Sequence, residues 1–251
     1  MQLRIVGASP AYPNPGEACS AYLVETDRAR ILLECGHGSV GVLRTMTDLT
    51  ELSAIIISHM HPDHYFDLVP LKYLDQFVSH RSSPLPLHLP PDGESVLRSL
   101  GESAGLPEDF FSSFDVIEYD PDSPLVIGDV ALRFAPTRHF ISGYAMRFRS
   151  EDGEKDLFYS SDTGWDDPLV TFARGAALGL VEATHANGLD EDVDGGHLSP
   201  RLAGRFAREA EMRRLVLTHF PSPLATRVES EAQQAFGRQV ELAREGRSFS
   251  V

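Results

Sequence analysis

Residues 58–64 constrain this chain more than any other part of its sequence. They read Ser-His-Met-His-Pro-Asp-His and place three imidazoles and one carboxylate within six residues, directly after the apolar stretch 54–57. Histidines packed this closely repel one another when protonated, whereas a divalent metal ion takes several neutral imidazoles and also accepts carboxylate oxygens. Pro62 disfavours a helical conformation at His61, so the side chains spread from a tight loop. The run predicts a metal site at the end of a buried strand.

Three further groups at strand ends extend this set. The predicted strand 130–135 leads to His139, 157–160 leads to Asp162, and 214–218 leads to His219. Loops at strand ends hold side chains in positions that the sheet fixes, which is why functional groups collect there. Taken singly, each histidine could be an ordinary buried residue and Asp162 a turn residue. Together with the run, they predict a shared set of metal ligands: His59, His61, Asp63, His64, His139, Asp162 and His219.

These residues, in this order, resemble the metallo-β-lactamase superfamily, and in particular its ribonuclease Z-like branch. The likeness covers nearly the whole chain. It implies an α/β (α+β) fold, a four-layer αββα sandwich with a dinuclear zinc site at one edge of the two sheets. It also implies how the ligands divide: one ion is held by His59, His61 and His139, the second by Asp63, His64 and His219, and Asp162 bridges the two.

Two short elements favour the phosphodiesterases of this superfamily over its lactamases. Residues 182–184 resemble the Glu-Ala-Thr element of that branch, and 196–199 resemble its His-Ser/Leu-Thr/Ser element ahead of a helix. By this resemblance, Glu182 hydrogen-bonds His197 and keeps it oriented as a general acid. The alternative is that His197 simply precedes the helix cap at Ser199.

The expected substrate is a small anionic phosphodiester such as a cyclic nucleotide. The net charge of −15 opposes binding to long nucleic acids, because their affinity depends on basic side chains. The segment 147–157 is too short for the basic arm with which ribonuclease Z grips transfer RNA, and 8–17 carries no basic residue. Two divalent ions supply an activated water and stabilise charge on phosphoryl oxygens. Asp63 is expected to accept a proton from that water, and His197 to protonate the leaving alkoxide.

Other functions stay open at this level. The first alternative is a transfer RNA 3′-end endonuclease, and the next is hydrolysis of a thioester or lactone. A non-catalytic metal-binding protein belongs to a different class, and the complete ligand set argues against it. Zinc is the expected metal, with manganese and iron open because the same donors accept each of them. Glu34 stands where relatives usually have the Asp of Asp-x-Gly, which removes no ligand but alters the support around the site.

The remaining sequence predicts one domain over 1–251, with helices on both sides of two sheets. Further strands are expected at 3–6, 21–25, 30–33, 54–57, 115–119, 144–148 and 178–182, and helices at 39–47, 71–78, 93–104, after Ser199 and at the C-terminal end. The region 81–91 is expected to be a surface loop, flanked by surface histidines at His80 and His88. An apolar stripe on the helix 71–78 predicts a core or subunit contact and favours a homodimer.

The chain is expected to be cytoplasmic and to make no contact with a membrane. Its apolar stretches are far shorter than the roughly 18 to 20 residues that a membrane span needs. Its first residues lack the basic start and apolar run of a secretory signal. Cys19 and Cys35 are too few for a disulfide framework and are expected to be reduced and buried.

Overall fold

The computed structural model describes residues 1–107, 109–186 and 195–251. In this part of the chain the strands are β1 (Gln2–Gly7), β2 (Ala21–Glu25), β3 (Arg30–Leu33), β4 (Ala54–Ile56), β5 (Leu85–Leu89), β6 (Phe114–Glu118), β7 (Leu125–Ile127), β8 (Val130–Pro136), β9 (Tyr144–Ser150), β10 (Asp156–Tyr159), β11 (Leu178–Glu182), β12 (Arg214–Thr218), β13 (Glu241–Leu242) and β14 (Ser248–Ser250). The α-helices are α1 (Ser39–Leu43), α2 (Pro62–Tyr65), α3 (Leu68–Leu74), α4 (Gly93–Ser103), α5 (Asp167–Phe172), α6 (Pro200–Glu209) and α7 (Ala225–Phe236).

These strands form two sheets of seven strands each. One has the order β14-β1-β2-β3-β4-β5-β6 and the other β13-β12-β11-β10-β9-β8-β7. Strands β10, β11 and β12 are parallel neighbours, and β8 and β10 each pair antiparallel with β9. Strands β8, β10, β11 and β12 therefore run in the same direction, so the loops that follow them leave from one edge of the sheet.

The core consists of three apolar layers, and neighbouring residues of one strand pack into different layers. In β3, Ile31 and Leu33 belong to the core between the sheets, whereas Leu32 packs on the side of α1, α3 and α4. In β10, Tyr159 faces the central core and Phe158 faces α5, α6 and α7. Successive side chains of a strand point to opposite faces, so each sheet buries both faces. The predicted four-layer αββα sandwich is confirmed.

The prediction of a surface loop over 81–91 is wrong, because this region contains β5. This strand lies between β4 and β6, and Leu85, Leu87 and Leu89 are buried in the outer core. His88 is only 6% exposed and is not a surface histidine. Proline is rare in a central strand because it donates no hydrogen bond, and Pro86 within β5 hid the alternating leucines that mark it.

Several predicted helices have different bounds. The helix expected at 39–47 ends at Leu43. Just after this end, the hydroxyl of Thr45 donates to the carbonyl of Val42 at 2.8 Å, and such local hydrogen bonds compete with those of a helical backbone. The helix expected at 71–78 begins at Leu68 and ends at Leu74, and a π-helical turn, Asp75–Ser79, follows it. The expected final helix is α7, but β13 and β14 come after it.

The described part of the chain contains short helices and two unpaired cysteines. Its longest helix, α7, has 12 residues, and none of the described helices is long and apolar enough to cross a bilayer. Cys19 and Cys35 are buried and free, as expected for thiols that form no disulfide.

Candidate metal centre

All seven predicted ligands lie at one edge of the two sheets, in the loops that follow β4, β8, β10 and β12. His61 has an extended backbone, with φ −83° and ψ 144°, as the residue before a proline prefers. Pro62 then begins the short helix α2, where the fixed φ of proline suits the first helical position. This helix was expected to be a loop. It turns Asp63 and His64 inward, and both are buried.

The first set of donors consists of three histidines, His59, His61 and His139. Nδ1 of His61 lies 3.2 Å from Nε2 of His59 and 2.9 Å from Nε2 of His139. Burial lowers the pKa of all three imidazoles, and the neighbouring histidines lower it further for His59 and His61. The rings are therefore neutral near pH 7, which leaves lone pairs available for a metal ion.

The second set contains Asp63, His64, Asp162 and His219, and all four side chains are buried. Oδ2 of Asp63 lies 3.0 Å from Nε2 of His219 and 3.3 Å from Nε2 of His64. Burial opposes ionisation of Asp63, but His64 and His219 outweigh it and hold the pKa of this carboxyl below its ordinary value. Asp63 therefore carries a negative charge that a cation would stabilise.

Asp162 joins the two sets. Its Oδ2 lies 3.4 Å from Nε2 of His64, 3.6 Å from Nε2 of His219 and 3.9 Å from Nε2 of His59. Burial opposes its ionisation, but His219 and His64 outweigh this effect and hold the pKa well below its ordinary value. One ionised oxygen thus faces nitrogens of both sets, which is the placement that a bridging ligand needs.

Contacts outside the cluster orient the rings of His139 and His219. Nδ1 of His139 donates to the carbonyl of Gly196 at 2.8 Å, because a carbonyl can only accept. The hydroxyl of Thr184 donates to Glu182 at 2.6 Å, so its oxygen can accept from Nδ1 of His219 at 2.8 Å. In both rings Nε2 is left to face the cluster, as expected of metal-binding histidines with outer partners.

His64 provides the test of whether the cluster fits a metal ion. Its ring is fully buried, and neither nitrogen has a hydrogen-bond partner among the described residues. Burial opposes protonation, but Asp162 and Asp63 outweigh it and hold the pKa of His64 well above its ordinary value. A buried polar atom without a partner costs free energy. The neighbouring carboxylates thus favour positive charge here, and a divalent cation bound to the neutral ring would supply that charge and occupy a ring nitrogen that has no hydrogen bond.

Glu34 lies beside Nδ1 of His64, whereas Asp63 and Asp162 lie beside Nε2. The sequence did not predict this contact. The backbone of Glu34 is left-handed with φ +62°, and its buried carboxylate accepts from the backbone N–H of Ser58 and the hydroxyl of Tyr159, each at 3.1 Å. Oε1 also lies 3.3 Å from Nδ1 of His64, within ion-pair distance but outside hydrogen-bond geometry. The side chain of Glu34 is longer than that of the aspartate that relatives usually have here, and its carboxylate reaches the candidate ligand His64.

Replacing Glu34 with glutamine is expected to weaken binding of one metal ion by about 10 to 100-fold, the usual effect of losing an outer partner of a ligand. Competition with a chromophoric chelator measures this affinity, and thermal unfolding checks that the fold is kept. Glu102→Gln, an exposed change on α4, is the matched control. Unchanged affinity in Glu34→Gln would remove Glu34 from the support of the site.

Glu182 and His197 form a pair beside the cluster. Nδ1 of His197 lies 2.9 Å from Oε1 of Glu182, so the predicted hydrogen bond is present. Oε1 of Glu182 also accepts from the backbone N–H of Thr163 at 2.9 Å, which holds the carboxylate in place. The side chain of His197 is 14% exposed, and its Nδ1 lies 4.0 Å from Oδ2 of Asp162. An oriented imidazole therefore stands between solvent and the donor cluster, which is the group formed by the seven candidate ligands.

A family model described as the beta-lactamase superfamily domain matches residues 29–220. The chain therefore belongs to the beta-lactamase superfamily. It is 28% identical to the "probable metallo-hydrolase" YhfI of Bacillus subtilis (strain 168), over 98% of both chains. It is 30% identical to the uncharacterized protein ML1173 of Mycobacterium leprae (strain TN), over 100% of this chain and 89% of the relative.

Solved structures show the same fold. The crystal structure of YhfI from Bacillus subtilis superposes with a TM-score of 0.86 at 28% identity, covering 99% of this chain and 98% of the other. The short form of human tRNase Z gives a TM-score of 0.76 at 22% identity, over 100% and 99%. A diphosphatase from the PhnP family gives 0.77 at 16% identity, over 100% and 97%. At these lower identities the likeness concerns the fold alone.

Proposed function

We propose that this chain is a hydrolase with two divalent metal ions, expected to be zinc, and that it cleaves a small phosphodiester such as a cyclic nucleotide. The observation that carries the proposal is the pair of Glu182 and His197, in hydrogen-bond contact at 2.9 Å, beside the donor cluster. A positioned imidazole at this place can protonate an alkoxide leaving group. A non-catalytic metal-binding protein has no use for such a pair.

The donor sets suggest how the chain holds the two ions. His59, His61 and His139 would bind one, and Asp63, His64 and His219 the other, with Asp162 between them. When bound, the ions supply an activated water and stabilise charge on the phosphoryl oxygens.

The proton steps fall to Asp63, Glu182 and His197. Glu182 hydrogen-bonds Nδ1 of His197 and orients the ring, so that the other ring nitrogen can donate a proton to the leaving oxygen. Asp63 is the proposed acceptor of the proton from the attacking water. The lowered pKa of Asp63 keeps this carboxylate ionised, as a metal ligand requires. A proton that it accepts would therefore be held weakly and would move on quickly to solvent or substrate.

The fold and the charge support a small substrate. Strands β9 and β10 are joined by residues 151–155 alone, a turn that leaves no room for a basic arm. The net charge of −15 opposes a long polyanion, whereas bound cations reverse the sign locally for a small one.

A substrate panel tests the proposal. Purified protein is loaded with zinc, manganese or iron and offered a cyclic nucleotide, a generic phosphodiester, a thioester, a lactone and precursor transfer RNA. The two small phosphodiesters are expected to be cleaved fastest, and chelator-treated protein is the control. Cleavage of the acyl substrates alone would contradict the proposal, and preferential cleavage of precursor transfer RNA would favour the endonuclease.

We also propose that the chain acts in the cytoplasm as a homodimer. The predicted apolar stripe has a buried part and an exposed part. Leu71 and Leu74 are buried, whereas Phe77 is 67% and Val78 59% exposed. The ring of Tyr73 stacks on Phe77, with centroids 6.1 Å apart. Grouped exposed apolar side chains mark interaction surfaces.

Light scattering is expected to give twice the 27.6 kDa of one chain, and Phe77→Asp is expected to lower this mass to that of the monomer. Val126→Asp, at an exposed apolar position on β7, is the control and should leave the mass unchanged. A wild-type mass of one chain at high concentration would contradict the dimer.

A further inference from the structure

Phe140 is a large apolar side chain exposed next to the candidate metal centre. It follows His139 in the loop between β8 and β9, and it is 60% exposed. Its ring centroid lies 5.1 Å from that of His139 and 6.0 Å from that of His197. Single exposed apolar residues are common and need no explanation. This one differs because it touches both a candidate metal ligand and the candidate general acid.

The backbone holds this ring in place. A Cβ atom at Gly196 would lie 2.5 Å from the ring of Phe140, so the absence of a side chain there lets the ring pack against the backbone. The carbonyl of Gly196 accepts from Nδ1 of His139 at 2.8 Å, and Thr137 N–H donates to the carbonyl of Gly143 at 2.9 Å. The loop is thus closed at its base and tied to the segment that carries His197. One face of the ring is supported and much of the rest meets solvent.

We propose that Phe140 is a specificity-determining residue whose ring stacks on an aromatic group of the substrate, such as a nucleobase. This inference rests on the proposed function, because it concerns the part of the phosphodiester that lies outside the metal centre. In the proposed function His197 stands on the leaving-group side, and the ring of Phe140 lies beside it, with centroids 6.0 Å apart. A substrate whose phosphate sits at the donor cluster would carry its leaving portion past His197 and onto this ring.

The ring itself favours an aromatic, uncharged partner. A flat neutral ring stacks on phenylalanine without a counter-charge. Stacking of one base on an aromatic side chain changes affinity by roughly 5 to 150-fold. The effect belongs to binding and does not change the chemical step.

Two cyclic phosphodiesters separate this role from a structural one. The first is adenosine 3′,5′-cyclic phosphate, and the second is the same cyclic phosphate of methyl riboside, which has no base. In Phe140→Ala, we expect KM for the first to rise by about tenfold or more, with kcat changed by less than about threefold. KM for the second should not change. Phe140→Trp and Phe140→Tyr should restore the low KM, and Val126→Ala, at an exposed apolar position on β7, should behave as wild type.

The outcomes distinguish this inference from the proposed function. If wild-type protein cleaves neither of these diesters nor the generic phosphodiester of the panel, the proposed function fails and this inference fails with it. If it cleaves the generic phosphodiester but neither of these two, this inference alone is overturned. If wild-type protein cleaves both, but Phe140→Ala loses the same factor on each or loses only kcat, then the ring merely packs against His139 and His197. In that case the stacking role is overturned and the proposed function stands.

Discussion

Asp162→Ala is expected to lower kcat/KM for a small phosphodiester by more than about 100-fold and to reduce the metal content below two ions per chain. Loss of an outer partner already costs about 10 to 100-fold in metal affinity, and Asp162 is itself one of the candidate ligands. Its Oδ2 lies within 4.0 Å of nitrogens from both donor sets. Without it, the cations of the two sets would face each other with no shared anion.

Metal analysis by mass spectrometry and steady-state kinetics on the same preparation measure both effects. Asp162→Asn keeps the shape of the side chain but removes its charge, so we expect it to fail in the same direction. Asp27→Ala, at an exposed turn, is the control and should behave as wild type. A variant of Asp162 with two metal ions and full turnover would contradict the bridging role.

His197→Ala is expected to lower kcat for an alkyl phosphodiester by about 10² to 10⁴-fold, the usual contribution of a general acid. Both metal ions should stay bound, because the seven candidate ligands do not include His197, which hydrogen-bonds Glu182. The loss should depend on the leaving group. An alkoxide needs a proton as it leaves, whereas p-nitrophenolate leaves without one.

Rates on an alkyl ester and on a p-nitrophenyl ester therefore test this role. His197→Ala should lose most of its activity on the first and little on the second, and Glu182→Gln should show the same pattern with a smaller loss. His80→Ala, at an exposed histidine, serves as the control. An equal loss on both esters, or loss of metal, would mean that His197 supports the cluster and does not donate a proton.

The donor set could be predicted because its signal is local. His59 to His64 lie in one run, and His139, Asp162 and His219 each follow an apolar strand by a few residues. Parallel strands bring such loops to a common edge, so their meeting point follows from the fold class. The strands β2, β3, β11 and β12 have the predicted bounds for the same reason, because a buried strand of a sandwich is marked by its own residues.

Other features depend on contacts between distant residues and could not be predicted. Oε1 of Glu34 comes within 3.3 Å of Nδ1 of His64 from a distant part of the chain, and the backbone at Glu34 is left-handed. Strands β13 and β14 have two and three residues, too few for a periodic pattern, and the sheet edges beside them determine their pairing. Phe140 reads in sequence as an ordinary apolar loop residue, and the packing against Gly196 becomes visible only in three dimensions.

Anomalous X-ray diffraction from crystals grown with zinc would show whether this cluster holds two metal ions. A two-metal site predicts two peaks, one beside His59, His61 and His139 and one beside Asp63, His64 and His219, with Asp162 in contact with both. Crystals that contain ample zinc but show no peak in the cluster, or side chains turned away from one another, would contradict it.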